Sequence, residues 1–141
     1  MDKLENLNNK KKLSLDDFFL LSVIGKGAYA KVCLVKKIDT GKIYAMKIVR
    51  RKFKNKKRQI KQATTERNVL VHMDHPFIIK LAYTFQNRKK LFFAMEYCPG
   101  GELFNLLYKR GQLTESQTKF YIAQMVLVIG ELHKKNIIYR E

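Results

Sequence analysis

The sequence predicts an α+β fold, and three observations carry that prediction. Five short runs are rich in β-branched and aromatic residues in near-alternation. A helical period interrupts them once, between the third and fourth runs. After Cys98-Pro99-Gly100-Gly101 the pattern becomes wholly helical. The expected architecture is a five-stranded antiparallel sheet with one inserted helix, followed by two further helices.

Taken in order, residues 1–15 are Asn- and Lys-rich and read as a flexible basic arm. Residues 16–97 form the sheet domain, and 98–141 a hinge and a helical part. The run Leu15 to Ile24 is the first strand. It ends at a glycine-rich turn, Gly25-Lys26-Gly27-Ala28-Tyr29-Ala30, with strands at about 32–37 and 42–49 after it, joined through Asp39-Thr40-Gly41. Arg50 to Lys61 is almost wholly basic and polar. It reads as a solvated loop or short helix, or as a docking surface for an acidic or phosphorylated peptide. From Ile60 to Met73 the period is helical, with Ala63, Val69, Leu70 and Met73 on one face and Glu66 at its edge. His75-Pro76 ends that helix, because proline lacks the amide and disfavours a helical residue before it. Phe77 to Phe85 and Leu91 to Tyr97 give the last two strands.

Beyond the hinge, a helix at about 102–109 stops at Gly111. Thr114-Glu115-Ser116-Gln117 fits a capping box, and a helix at about 115–135 follows. That helix is apolar around most of its circumference, so it calls for burial on all sides. Too little chain follows to provide it, so the covering layer is expected from elsewhere.

Composition bounds the function. The 141 residues suit one small domain, and 46% hydrophobic content suits a globular one. Two cysteines, Cys33 and Cys98, have no framework spacing and read as reduced thiols. No apolar run approaches a membrane span, and the N-terminus lacks a signal-peptide core, so a cytoplasmic location is the default expectation. The net charge of +17, from 29 Lys and Arg against 12 Asp and Glu, suits an anionic partner. Phe53 is the single aromatic residue in the longest basic run, which argues against stacking on single-stranded bases. No specific nucleic-acid recognition is expected, only the nonspecific electrostatic kind.

The stretch from Ile24 to Lys47 carries the chemistry. Its glycines let backbone N–H groups approach an anion, and a lysine on the following strand reaches the same place; phosphate is the natural guest. A dinucleotide-binding turn would open a helix, but here a second strand follows. A Walker loop would end in G-K-[ST], which is absent. What remains is a strand–loop–strand lid with a lysine behind it.

These residues, with others, resemble the protein-kinase catalytic domain, and within it the AGC serine/threonine group. The resemblance runs from about Asp16 to Glu141. It rests on Gly25-x-Gly27-x-x-Ala30-x-Val32, Ala45-Met46-Lys47, Thr65-Glu66-Arg67-Asn68, His75-Pro76-Phe77, Met95-Glu96-Tyr97-x-x-Gly100-Gly101-Glu102-Leu103 and Ile138-Tyr139-Arg140. It implies an N-terminal lobe of five strands and one helix, then the first two helices of a C-terminal lobe. The activity implied is phosphoryl transfer from Mg-ATP to serine or threonine hydroxyls of a protein substrate. It also implies that Ile24, Gly25, Lys26, Gly27, Ala28, Tyr29 and Ala30 cover ATP, and that Val32 and Ala45 sandwich adenine, with Leu103 nearby. Met95 would stand as gatekeeper. The Glu96 carbonyl and Cys98 amide would bond the adenine edge, and Glu102 would sit by the ribose. Lys47 would pair the α- and β-phosphates, held by Glu66. Leu70, Leu81 and Tyr139 match an apolar spine between the lobes.

Three departures accompany the resemblance. The third glycine of the loop is Ala30. Glu141 stands where the family has its catalytic aspartate, one methylene longer, a misplacement that can cost about 10²-fold. The asparagine and D-F-G aspartate that hold Mg²⁺ in the family are absent from these residues. As it stands the chain is expected to transfer phosphate poorly. Two alternatives from other classes follow. One is a non-catalytic, pseudokinase-like module that binds an acidic, aromatic or phosphorylated regulatory peptide. The other is a nonspecific nucleic-acid binder acting through its basic surface.

Overall fold

The computed structural model describes residues 13–27, 30–50 and 56–139. Strands β1 (Phe18–Lys26), β2 (Ala30–Lys37), β3 (Ile43–Arg50), β4 (Leu81–Gln86) and β5 (Lys90–Glu96) form one antiparallel sheet in the order β1-β2-β3-β5-β4. Helix α1 (Lys56–His72) is inserted between β3 and β4, and α2 (Leu103–Arg110) and α3 (Glu115–Lys134) follow the sheet. The five-stranded α+β architecture is the expected one.

Antiparallel register puts directly opposed side chains on the same face. One face carries the main core: Phe18, Cys33, Val35, Met46, Ile48, Phe92 and Ala94, all under 8% exposed. Phe85 stacks between Phe18 and Phe92, with ring centroids 5.7 and 4.8 Å away. The other face is more open and groups Val49 and Phe93 with Ala30, Leu81, Leu91 and Met95.

Several boundaries differ from the sequence expectation, each for a local reason. The first strand does not begin at Leu15. Ser14 caps a 3-10 turn over Leu15–Asp17, its hydroxyl taking the Asp16 N–H while Asp17 accepts the Ser14 N–H at 2.7 Å. Such short polar side chains divert the backbone from strand pairing. The fourth strand starts only at Leu81, because the chain turns after His75-Pro76: the Ile78 N–H donates to the His75 carbonyl and the Phe77 N–H to the His75 ring. Helix α1 begins at Lys56, four residues earlier than its apolar period shows. Val69 and Leu70 are half-buried and Met73 is buried, while Ala63 lies outside the described side chains. Residues 1–12 of the expected arm and 51–55 of the basic run lie outside the described residues.

The two C-terminal helices end as their sequences direct. Gly111 caps α2 with φ 76°, a left-handed conformation that favours glycine, and its N–H donates to the Leu107 carbonyl. Thr114 and Gln117 make the reciprocal capping box on α3. Helix α3 buries only Leu132, whereas Phe120, Ile122, Met125, Val126, Leu127 and Ile129 are 41–65% exposed. Among the described residues no helix is long and apolar enough to cross a membrane.

Candidate functional site

The site lies on the open face of the sheet, and register builds it. Gly25 of β1 stands opposite Val32, Val32 opposite Lys47, and Lys47 opposite Phe93. The neighbouring row runs Leu34, Ala45, Met95 and Leu81. Val32, Ala45 and Met95 thus share one half-buried apolar surface, with the ammonium of Lys47 at its border.

Register shifts in β1 and β4 aim residues at this surface. In β1 the register shifts between Leu20 and Ser22 and again between Val23 and Gly25. Strict alternation from Val23, which pairs with buried Cys33, would send Gly25 to the core face; the second bulge brings it beside Val32 instead. In β4 the shift between Leu81 and Tyr83 puts Leu81 beside Met95 while Tyr83 faces the core.

Lys47 is held by both oxygens of Glu66, at 2.7 and 2.9 Å, across 19 residues of sequence. Their side chains are 29% and 40% exposed. An ion pair this wet adds under about 1 kcal/mol to stability. Its consequence is geometric: it holds the ammonium over the open face and ties α1 to the sheet.

The loop over this surface closes by a bond from the Gly27 N–H to the Ala30 carbonyl, 2.8 Å long. Neither Gly25 nor Gly27 has positive φ. A Cβ would meet only Val32 at 3.6 Å from Gly25, and the Ala30 carbonyl at 3.5 Å from Gly27. Both are ordinary contacts, so among the described residues no contact demands glycine at either position.

At the hinge, the Glu96 N–H donates to the Lys80 carbonyl (3.0 Å) and the Cys98 carbonyl accepts from Gly101 (3.4 Å). Neither bond uses the groups expected to meet adenine, the Glu96 carbonyl and the Cys98 amide. Ile24, Lys26, Glu96, Cys98 and Glu102 are all exposed. Glu102 precedes α2 as its N-cap, without a side-chain cap bond. Ala28, Tyr29, Arg140 and Glu141 lie outside the described residues. Leu70 and Leu81 are half-buried, but Tyr139 is 74% exposed and contributes little to the expected spine. Among the described residues no cluster of three His, Cys, Asp or Glu side chains could hold a metal ion.

Residues 18–141 match the family model described as "Protein kinase domain". The chain belongs to the protein kinase domain family. Its relatives include Protein kinase 3 of Dictyostelium discoideum, 50% identical over 97% of this chain and 15% of the relative. The serine/threonine-protein kinase sgk-1 of Caenorhabditis elegans is 42% identical over 95% of this chain and 29% of the relative. The serine/threonine-protein kinase CBK1 of Pneumocystis carinii is 46% identical over 92% and 26%. The kinase chain therefore spans under a third of the length of each of these relatives. Its sheet, inserted helix and two following helices fit a kinase N-terminal lobe with the start of a C-terminal lobe.

Two features of the domain were not singled out from sequence. The bulges are one, since they depend on pairing with another strand. The other is a cavity of about 570 Å³ at the Tyr44–Glu96 end of the sheet, lined also by Lys42, Pro76, Lys80 and Tyr97. Only Glu96 of its lining belongs to the expected nucleotide contacts.

Proposed function

We propose that this chain is the nucleotide-gripping part of an AGC-type serine/threonine protein kinase. The observation that carries the reading is the Lys47–Glu66 pair beside two glycines that no contact among the described residues requires. Adenine lies on Val32, Ala45 and Met95, a flat apolar surface of suitable kind. The Glu96 carbonyl and Cys98 amide read its edge, and Glu102 meets the ribose. Backbone at Gly25 and Gly27 approaches the phosphates, which the Lys47 ammonium pairs. Glu66 keeps that ammonium from following the phosphates into solvent, an orientation worth more to catalysis than to stability. In protein kinases Mg²⁺ supplies charge stabilisation at the β- and γ-oxygens. The described residues do not form a site for it. The protein substrate is one bearing a serine or threonine hydroxyl.

The test is a thermal-shift titration of the chain with ATP, with and without Mg²⁺. ATP raises the unfolding midpoint, since a ligand that binds only the folded state stabilises it by mass action. Lys47→Ala weakens that binding by about 10-fold or more, as expected for a charge-assisted contact worth about 1.5–3 kcal/mol. An ATP shift that survives Lys47→Ala unchanged removes the site from this surface.

A further inference from the structure

Helix α1 carries Glu66, yet little in its own sequence holds it in place. Its first turn reads Lys56-Lys57-Arg58, with no acidic residue. Cations there oppose the helix dipole, which favours negative charge at the N-terminus. Among the described residues its contact with the sheet is short, with β4 and, through the Lys47–Glu66 pair, β3. Between these weak supports, Glu66 must stay within hydrogen-bond reach of Lys47.

The C-terminal end of α1 has the opposite arrangement. The last carbonyls of a helix lack partners within it and carry its partial negative charge. The His72 carbonyl, the last of α1, accepts a bond from the Lys135 ammonium at 3.4 Å, across 63 residues of sequence. Lys135 caps α3, and Glu131 one turn earlier lies 3.9 Å from its ammonium, steadying it from behind. The bond itself is exposed, but a buried residue lies close to each end of it: Met73, next after His72, and Leu132, one turn before Lys135, are each 6% exposed. The cation that suits the dipole of α1 thus comes from the helical part beyond the hinge.

We propose that Lys135 is a positioning residue for the Lys47–Glu66 pair. By holding the C-terminal end of α1 it sets where Glu66 stands, about 9 Å away along the helix axis, and so links the helical part of the chain to the phosphate-facing lysine. This rests on the nucleotide reading above for its consequence, but not for its geometry. Lys135 itself does not touch the nucleotide.

The test combines two readouts on the whole chain: amide hydrogen exchange of α1 without ligand, and affinity for a fluorescent ATP analogue. Lys135→Ala speeds exchange over residues 67–73 while leaving β2 and β3 unchanged, and lowers nucleotide affinity about 2- to 5-fold, the scale of a helix-terminus cation. Lys135→Arg keeps both near wild type. In a Glu66→Gln background Lys135→Ala has no further effect on affinity, because the group it positions is already disabled. Unchanged exchange in α1, or an equal affinity loss with and without Glu66, overturns the proposal. A global rise in exchange with Lys135→Ala, matched by Lys135→Arg, also overturns it, as a merely structural role. If the wild type binds no nucleotide but α1 exchange still follows Lys135, the nucleotide reading fails and the tether stands.

Discussion

Lys37 shows how one residue's surroundings decide its behaviour. It alternates with Cys33 and Val35 on β2 and so points into the core face, where its side chain is only 7% exposed. A buried ammonium is costly unless paired. Asp39, two residues on, pairs with it, and the ring of Tyr83 lies 5.4 Å beneath. The Asp39 hydrogen bond raises the Lys37 pKa against the opposing pull of burial, and the bond from Lys37 lowers that of Asp39. Burial, then a hydrogen bond with Tyr83, raises the Tyr44 hydroxyl. The signs follow by linkage. Asp39 stabilises the fold above the usual carboxylate range near pH 4 and loses that effect as pH falls through its lowered pKa. Lys37 and Tyr44 stabilise it below about pH 10 and lose that effect as pH rises further. Denaturant unfolding at pH 7 and pH 3 checks the acid side. The wild type loses more stability on acidification than Asp39→Asn, which is already weaker at pH 7; equal losses in the two rule Asp39 out. Lys37 was legible in principle, since its place in the i, i+2, i+4 row with Cys33 and Val35 is local. It was hidden among 29 cations. The Lys47–Glu66 pair was not legible from pattern, because nothing local links residues 19 apart; the family resemblance supplied it.

At the scale of elements, local chemistry was the most legible part. The Thr114-x-x-Gln117 spacing announced a capping box, and Gly111 a helix end, because both signals lie within one turn of what they control. Ser14-x-x-Asp17 has the same grammar, and overlooking it placed the first strand three residues early. The start of α1 was obscured because its first turn is basic rather than amphipathic. The bulges in β1 and β4 had no local signature, since the extra residue is defined only against the partner strand. Removing a cap tests the legible part quantitatively. Thr114→Ala leaves the Gln117 N–H without its side-chain acceptor and costs about 0.5–2 kcal/mol of α3 stability. Because the box is reciprocal, the double variant Thr114→Ala/Gln117→Ala loses less in total than the two single losses summed. Circular dichroism during thermal unfolding of the four chains measures it, and full additivity would show that the two bonds act independently.

At the scale of the whole molecule, charge is the dominant fact. The chain carries a net +17 on 141 residues, and the sheet sets some of its like charges against each other. Arg50 stands directly opposite Lys90, beside Arg88 and Lys89 in the β4–β5 turn, and Lys26 stands opposite Lys31. Like charges directly opposed across strands are destabilising, and bound or diffuse anions relieve them. Of the basic run expected as a docking surface, only Arg50 and Lys61 have described side chains, both exposed. The expected consequence of this charge is nonspecific attraction of polyanions, with no base-edge readout of their sequence. Binding to mixed-sequence single-stranded DNA falls steeply with salt, with a log–log slope of about −0.7 per phosphate neutralised, and does not discriminate among sequences. The proposed nucleotide site and this surface separate in one experiment. Lys47→Ala weakens the nucleotide response and leaves the DNA salt slope unchanged, because that single ammonium is turned to Glu66 on the open face of the sheet. Charge reversal of Arg88, Lys89 and Lys90 flattens the slope and leaves nucleotide affinity intact. A slope that instead tracks Lys47, or DNA competing fully with ATP, would merge the two surfaces and make the nucleotide response one more expression of net charge.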